Sequence, residues 1–472
     1  MTTENLASKV DSSALQAGLQ LLAERLEGPV ILPDHPDYNQ ARRVLEANFD
    51  CRPLAVVRPV NAGDVITAVN FARDMGLDIS VRSGAHSPSG YGTCDDGLVI
   101  DFSLMKAIEL DEATGTVRIE PGNTWGEVAQ ALFPHGLAIS SGDFGSVGVG
   151  GLTTGGGIGW MVRKHGLTVD HLVGADVVLA DGRLVHAGEQ DNPDLFWAIR
   201  GGGGNFGVVV SFTFRPKQEA MITGGIIIYD YADAATVLRG FADYCYGAPD
   251  ELTAMVDIMH APPMPFLPPE RIGSMIVGVT VCCAADPDRA NEIIAPLTRL
   301  AEPIAVAVQP MPYHGMFAFT DHALPPEPQV DIRSHFADEL SSELIATVVE
   351  QTAALPALSL WQLRALGGEM NRPAPDSVAF SHRDKPYMVA SISIWTDPAE
   401  SERHHSYAEG VWKALAPYAS GAYVGFLGDE GEERKRTVYS EASLTRLQAI
   451  KAKYDPANLF HLNLNVEPAT AG

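Results

Sequence analysis

Val81-Arg82-Ser83-Gly84-Ala85-His86-Ser87-Pro88-Ser89-Gly90-Tyr91 leaves a short apolar strand, Ile79 to Arg82, and runs at once into small residues with one imidazole among them. It opens a region, Gly84 to Gly207, of very high glycine density, with clusters at Gly148 to Gly151, Gly155 to Gly159 and Gly201 to Gly204. Glycine serves where backbone must approach something closely or take positive φ, so this region is predicted to wrap a ligand. A dinucleotide-binding turn needs a strand before its glycines, a helix directly after them, and an acidic residue about 20 positions on. The run Gly148 to Gly159 lacks all three. What remains is a set of separate backbone-rich loops, which suits an extended, pyrophosphate-containing ligand held along its length by N–H groups.

Outward from this region the chain alternates strands and helices. Residues 1–48 carry helical spacing (Leu15, Leu19, Leu22, Leu26) and then a connector, Pro33-Asp34-His35-Pro36. Leu54 to Arg58, a helix over Asp64 to Met75 capped at Gly76, and Ile79 to Arg82 follow in the order of a βαβ unit. Strand signals recur at Val117 to Glu120, Ala175 to Leu179 and Val208 to Phe214. Near Pro216 the glycine density falls, and residues 218–428 read as an α+β domain. Its predicted strands are Ile226 to Tyr229, Ser274 to Val281, Ser359 to Ala365 and Met388 to Trp395. Its predicted helices lie near Ala235 to Tyr244, Pro287 to Ala301 and Ser341 to Thr352. The tail, 429–472, holds a helix through Lys453, the Asp455-Pro456 turn and an extended Phe460 to Pro468.

The chain's 472 residues exceed one ordinary core, since single cores stop growing near about 250–300 residues. With 46% hydrophobic and 19% charged residues it reads as a folded globular protein. The net charge of −26, from 33 basic and 59 acidic side chains, repels phosphate backbones and argues against nucleic acid as a partner. No apolar stretch approaches the ~20 residues of a membrane span. The start, MTTENLASKV, lacks the basic and apolar regions of a signal peptide, so a cytoplasmic location is expected. The five cysteines include no CxxC and are expected to be reduced thiols. No set of His, Cys, Asp or Glu has metal-ligand spacing, so no metal is expected.

The stretch Val81 to Tyr91 resembles the pyrophosphate loop of the PCMH-type FAD-binding domain shared by vanillyl-alcohol-oxidase-type flavoproteins, where the family reads RSGGH followed by small residues. Further matches fall in order at Gly148 to Gly159, at Ala175 to Gly182 (ADVVLADG) and at Asp194 to Val209 (DLFWAIRGGGGNFGVV). Lys453 to Asn465 (KYDPANLFHLNLN) is similar to the tail of berberine-bridge-like oxidases. In that family the loop histidine is bonded to the 8α carbon of the flavin, and His86 occupies its position. The resemblance implies Arg82, Ser83, Gly84, Ala85 and Ser87 as backbone donors to the pyrophosphate. It implies Gly90, Ser146, Val147, Gly148, Gly151, Thr154, Gly156, Gly157, Gly159, Gly207, Val208, Asn463 and Asn465 as the remaining FAD contacts. Many relatives form a second flavin bond from a cysteine whose position here is Phe144, so a single covalent link is implied. Singly linked 6-hydroxynicotine-oxidase-like members are similar in this respect and in having leucine at the position of Leu152. Val147 matches the position that gates oxygen near the flavin C4a in relatives.

Catalytic groups are less legible. Related oxidases use a tail tyrosine, in an Asn-Tyr pair shortly before Arg-Leu, to deprotonate a substrate hydroxyl, but Ser443 and Leu444 stand there before Arg446-Leu447. The candidates are Tyr439, together with Gln362 and Arg364, which strand alternation places on one face. His314, Glu369 and His382 are further acid or base candidates, with a surface or structural role favoured for each. The fold implied is α+β: a two-lobed PCMH-type FAD-binding domain over 49–217, an antiparallel-sheet substrate domain with helices on one face over 218–428, and a tail packing back from 429. The activity implied is an FAD-linked oxidase taking hydride from a C–H beside an amine or hydroxyl of a small molecule of alkaloid or secondary-metabolite type. Oxygen accepts the electrons and leaves as hydrogen peroxide. The missing tyrosine favours amines. A non-redox cyclase or binding protein and a carbohydrate oxidase are the alternatives, and Phe144 argues against the last.

Overall fold

One well-capped helix and the short β-branched runs beside it build the first layer. Asn61 accepts a hydrogen bond from the Asp64 N–H at the start of the helix Ala62–Met75, and Gly76 ends the helix at φ 65°. Its buried face, Val65, Ala68, Val69 and Ala72, lies on a sheet of β1 (Val30–Ile31), β2 (Ala55–Val57), β3 (Ile79–Arg82) and β4 (Leu98–Asp101). The strand order is β1-β2-β4-β3, with β2 and β3 both parallel to β4. The strand-helix-strand unit is therefore split by β4, whose four residues are all buried and suit the centre of a parallel sheet. The computed structural model describes residues 12–321, 324–428, 434 and 436–470. The start read for a signal peptide and the beginning of the tail at 429 lie outside the described residues. Leu19 and Leu22 of the N-terminal helix Ser12–Arg25 join this same core.

The next strands are β5 (Ile108–Asp111), β6 (Thr116–Ile119), β7 (Leu137–Ala138), β8 (Leu172–Val178), β9 (Leu184–Gly188), β10 (Val208–Phe214) and β11 (Lys217–Gln218). Five form an antiparallel sheet in the order β5-β6-β10-β8-β9, and β7 pairs with β11.

A seven-stranded antiparallel sheet begins at Met221. It comprises β12 (Met221–Asp230), β13 (Leu252–His260), β14 (Met275–Cys283), β15 (Ala305–Pro312), β16 (Gln329–Ala337), β17 (Leu360–Ala365) and β18 (Tyr387–Trp395), in the order β15-β12-β14-β13-β17-β18-β16. Sequence signals mark β12, β14, β17 and β18; β13, β15 and β16 escape them because polar residues interrupt their apolar alternation. The helices Ala234–Cys245, Pro287–Ile294, Ser342–Thr352 and Ser401–Leu415 cover one face, burying Phe241, Ile294, Val348 and Val411 against Trp361, Leu363 and Val389. The helix expected through Ala301 stops at Ile294 and continues as a tighter turn, because Pro296 supplies no N–H. The other face of the sheet, carrying Leu360, Gln362 and Arg364, is turned to the first lobe.

The helix Glu441–Tyr454 returns to that lobe, burying Leu447 and Ile450 beside Trp197 and Phe206. Lys451 is fully buried, and its three donors reach the Asn205 carbonyl at 2.7 Å, the Phe460 carbonyl at 2.8 Å and Asp455 at 2.7 Å. Asp455 also accepts the N–H groups of Leu459 and Phe460, so the pair clips the extended tail onto the glycine run at Asn205. Among the described residues no helix is long and apolar enough to cross a membrane, and no cluster of His, Cys, Asp and Glu could hold a metal. Lys451→Met strands the buried Asp455 charge and is expected to lower unfolding stability by about 3–5 kcal/mol in denaturant titrations.

Candidate active site

Beyond β3 the chain turns on Ala85, at φ 59°, and Gly90, at φ 72°. Ala85 thus keeps a left-handed backbone where the family loop has glycine, a conformation that is uncommon outside glycine. Its carbonyl is held by the Leu45 N–H at 3.1 Å. A Cβ placed on Gly84 would lie 2.2 Å from the Gly148 nitrogen, and one on Gly148 would lie 2.1 Å from the Gly84 nitrogen. The two loops therefore touch backbone to backbone. Ser83 locks the contact: its hydroxyl accepts the Gly150 N–H at 3.2 Å and donates to the Pro121 carbonyl. Gly148 is also the N-cap of a short helix, Val149–Gly155, where the sequence reading has only a glycine-rich loop.

Between this cradle and the open face of the seven-stranded sheet runs a cleft. Of the expected FAD contacts, His86, Arg82, Ser83, Gly84, Ala85, Ser87, Val147, Gly148, Gly151, Thr154, Gly207, Val208 and Asn463 line it. A Cβ on Gly151 would meet no protein atom within 4 Å, which leaves open space on the cleft wall at the head of the short helix. A cradle of exposed backbone, an imidazole and a vacant glycine wall fits a long pyrophosphate-bridged group such as FAD.

Six expected contacts lie elsewhere, for packing reasons. Gly90 abuts Phe49, Gly156 abuts Phe380, Gly157 abuts Thr168, and Gly159 abuts the Ser141 carbonyl. Ser146 is exposed near Asp321. Asn465 faces solvent because its neighbours Leu464 and Val466 turn into the core. Although Arg82 borders the cleft, its guanidinium is spent on the carbonyls of Ala41 and Arg43 and on Asp101.

His86 sits half-buried on the cleft wall, its ring 6.4 Å from that of Phe144. Burial pushes its pKa down to about 4, against an opposing pull from Asp143, so the imidazole is neutral near pH 7. Asp143 also lines the cleft and receives Arg364 from above. The Arg364 Nε donates to Gln362 at 2.6 Å, and Gln362 donates to Asp257 at 2.8 Å, in a buried chain that joins β17 and β13 to the loop bearing Phe144. Burial raises the Asp257 carboxyl to about 6. Gln362 and Arg364 do share one face, but they stand behind Asp143 with their polar atoms engaged, and Arg364 lies 4.8 Å over the Phe426 ring.

Tyr439 is buried in the core and does not line the cleft; its hydroxyl has no hydrogen-bond partner among the described residues, and burial pushes its pKa up. Leu444 packs on the same core. Two tyrosines line the cleft, Tyr91 and Tyr423; the Tyr423 hydroxyl accepts the Gly157 N–H at 3.2 Å, and burial raises its pKa to about 12. His314 stacks edge-on against Phe133, Glu369 pairs with Arg372, and His382 bonds the Thr437 carbonyl; none lines the cleft. The residues that sequence reasoning missed are Asp143, Asp257, Tyr423 and Glu46. Asp257 carries a legible signal, as the lone acid in the apolar run Leu252–His260, and Asp143 adjoins a position already singled out. Glu46 and Tyr423 carry none, because only the meeting of distant segments brings them to the cleft.

The FAD binding domain family matches residues 53–188, and the berberine and berberine-like family matches residues 422–467, which take in the cradle and the tail. The FAD-linked oxidoreductase YgaK of Bacillus subtilis is 31% identical over 453 residues, covering 94% of this chain and 98% of that protein. The chain belongs to the berberine-like FAD-linked oxidoreductases. Another member of this family, (R)-6-hydroxynicotine oxidase of Paenarthrobacter nicotinovorans, is 30% identical over 456 residues, covering 94% of this chain and 97% of that protein. The crystal structure of 6-hydroxy-D-nicotine oxidase from Arthrobacter nicotinovorans aligns with a TM-score of 0.85 at 27% identity, covering 94% and 98% of the two chains.

Two glycine substitutions separate packing from ligand space. Gly148→Ala drives a methyl into backbone and is expected to cost about 1–3 kcal/mol, seen as a lowered melting temperature of the apoprotein. Gly151→Ala is expected to leave apoprotein melting unchanged or higher while reducing the flavin that copurifies.

Proposed function

We propose that this chain is an oxidase carrying FAD bonded once, through His86, and acting on a C–H bond beside an amine nitrogen of a small, largely apolar molecule. The imidazole of His86, carried by the glycine-rich loop to the cleft wall beside Phe144, is the observation that carries the reading. A neutral ring keeps the nitrogen lone pair that a bond to the flavin requires, and Phe144 has no sulfur with which to form a second one. The backbone from Ser83 to Ser87, with Gly148, Gly151, Thr154, Gly207 and Asn463, would hold the group. Once bound there, FAD supplies hydride acceptance, and its reoxidation by oxygen yields hydrogen peroxide.

The preference for amines rests on what the cleft lacks. Tyr423 holds its proton strongly, Asp143 is neutralised by Arg364, and burial keeps Glu46 mostly protonated at neutral pH, so none of the three is a free base for a hydroxyl. A neutral amine loses hydride without a strong base. Val330, Ile332, Leu360, Ile392 and Ile394 form an aliphatic wall that excludes water and gives a sugar no hydrogen-bond partners, which disfavours the carbohydrate reading. The similarity to (R)-6-hydroxynicotine oxidase supports the same choice. The missing base also fits a protein whose flavin stays oxidised throughout; anaerobic bleaching of the flavin by an amine substrate would exclude that second reading.

Intact-mass measurement and peptide mapping after acid denaturation are expected to find one FAD on the peptide containing His86 and none on that containing Phe144. Flavin that washes off, or stays attached in His86→Ala, overturns the single link. Because the His86 pKa lies near 4, attachment of FAD to flavin-free protein is expected to proceed at the same rate at pH 6 and pH 8. A histidine at about 6.5 would be mostly protonated at pH 6 and slower there. During turnover, peroxide should form one-for-one with product; reduction of dyes alone would sink the oxidase reading.

A further inference from the structure

The cleft holds one acid that the chemistry above does not use. Glu46 is only 4% exposed, lines the cleft, and has a buried Oε2 without a hydrogen-bond partner among the described residues. Its backbone is pinned on both sides. The Leu45 N–H bonds the Ala85 carbonyl at 3.1 Å, and the Ala47 N–H bonds the Pro328 carbonyl at 2.8 Å. Asn48 then exchanges two hydrogen bonds with the backbone of Val330, at 2.8 and 2.9 Å. Glu46 is thus fixed between the His86 loop and the edge strand β16, next to the aliphatic wall of β16, β17 and β18.

We propose that Glu46 is the ammonium-binding residue of the substrate cleft, anchoring the cationic nitrogen of an amine whose hydrocarbon body lies on Val330, Ile332, Leu360 and Ile392. The proposal deepens the amine reading of this cleft and rests on it. A buried acceptor without a donor is costly, and an ammonium supplies the missing donor together with a charge. Among the described residues, the basic side chains on the neighbouring segments are committed elsewhere. On the same segment, Arg42 pairs with Asp50 and Arg43 with Glu327. On β16, Asp331 is held by Arg333 and by His405. From the loop opposite, His86 presents a neutral ring.

Burial, reinforced by Asp331, raises the Glu46 carboxyl to about 8, so it is mostly protonated at neutral pH. An arriving ammonium displaces that proton to solvent, and the ammonium–carboxylate pair remains. Before hydride leaves, the bound ammonium passes its N–H proton to the Glu46 carboxylate, giving the neutral amine that the oxidation above requires. The acid therefore selects charge without itself acting on the C–H bond.

Binding of cumylamine and of its uncharged counterpart, cumyl alcohol, to the flavin-bearing protein tests the assignment by calorimetry at pH 7. Neither probe has a hydrogen on the carbon beside its heteroatom, so neither can be oxidised, and the result stands apart from any test of oxidase activity. Wild type is expected to bind the amine about tenfold or more tightly than the alcohol, and to release about one proton on binding, read from two buffers of different ionisation enthalpy. In Glu46→Gln the preference and the proton release should both vanish while the alcohol still binds. A variant that keeps the preference overturns the proposal, as does a wild type that shows none. Should the variant lose its flavin, the wild-type proton count decides alone: amine bound with no proton released also overturns it.

Discussion

Two backbones meeting without side chains between them organise this molecule. Gly84 and Gly148 stand so close that a single methyl on either would collide with a main-chain nitrogen of the other. Everything at the cradle follows from that approach. Ser83 can reach the Gly150 N–H, the short helix Val149–Gly155 starts against the loop, and His86 is carried to the cleft wall. Ala85 tolerates its left-handed backbone because Leu45 bonds its carbonyl and the neighbouring glycines leave room for the turn.

A second constraint ties the roof to this cradle. The chain Asp143–Arg364–Gln362–Asp257 runs from the loop beside Phe144 into the middle of the seven-stranded sheet, and every link is buried. Buried charges are tolerated when each is paired and hydrogen-bonded, and removing one partner is more costly than never having had the pair. The same logic holds at the tail, where Lys451 uses all three of its donors on Asp455 and two carbonyls. These two polar clips hold three segments distant in sequence around one apolar cleft. With its ionic groups spent on structure, the cleft keeps few free titratable groups, and Glu46 is the conspicuous one.

The fold was legible wherever local chemistry decides. The helix read over Asp64 to Met75 announces itself by its apolar spacing and Gly76 stop, and β3 and β10 coincide with their apolar runs. The sheet order was not legible, since inserting β4 between β2 and β3 is a choice among partners that a strand's own sequence does not record. The strands β13, β15 and β16 were missed because polar residues interrupt the apolar alternation that marks a strand.

At the site, the sequence alone determined the parts that depend on backbone: which glycine loops exist, which histidine stands among them, and that Phe144 brings no sulfur. Such features are local, because a missing Cβ or a particular side chain has its effect at its own position. Which glycines face the cleft and which merely admit Phe49, Phe380 or Thr168 was decided only by tertiary structure. So were the withdrawal of Tyr439 into the core, the engagement of Arg364 by Asp143, and the arrival of Glu46 and Tyr423 at the cleft. Burial, pairing and protonation are properties of neighbours, and these neighbours lie hundreds of residues apart until the two lobes close on one another.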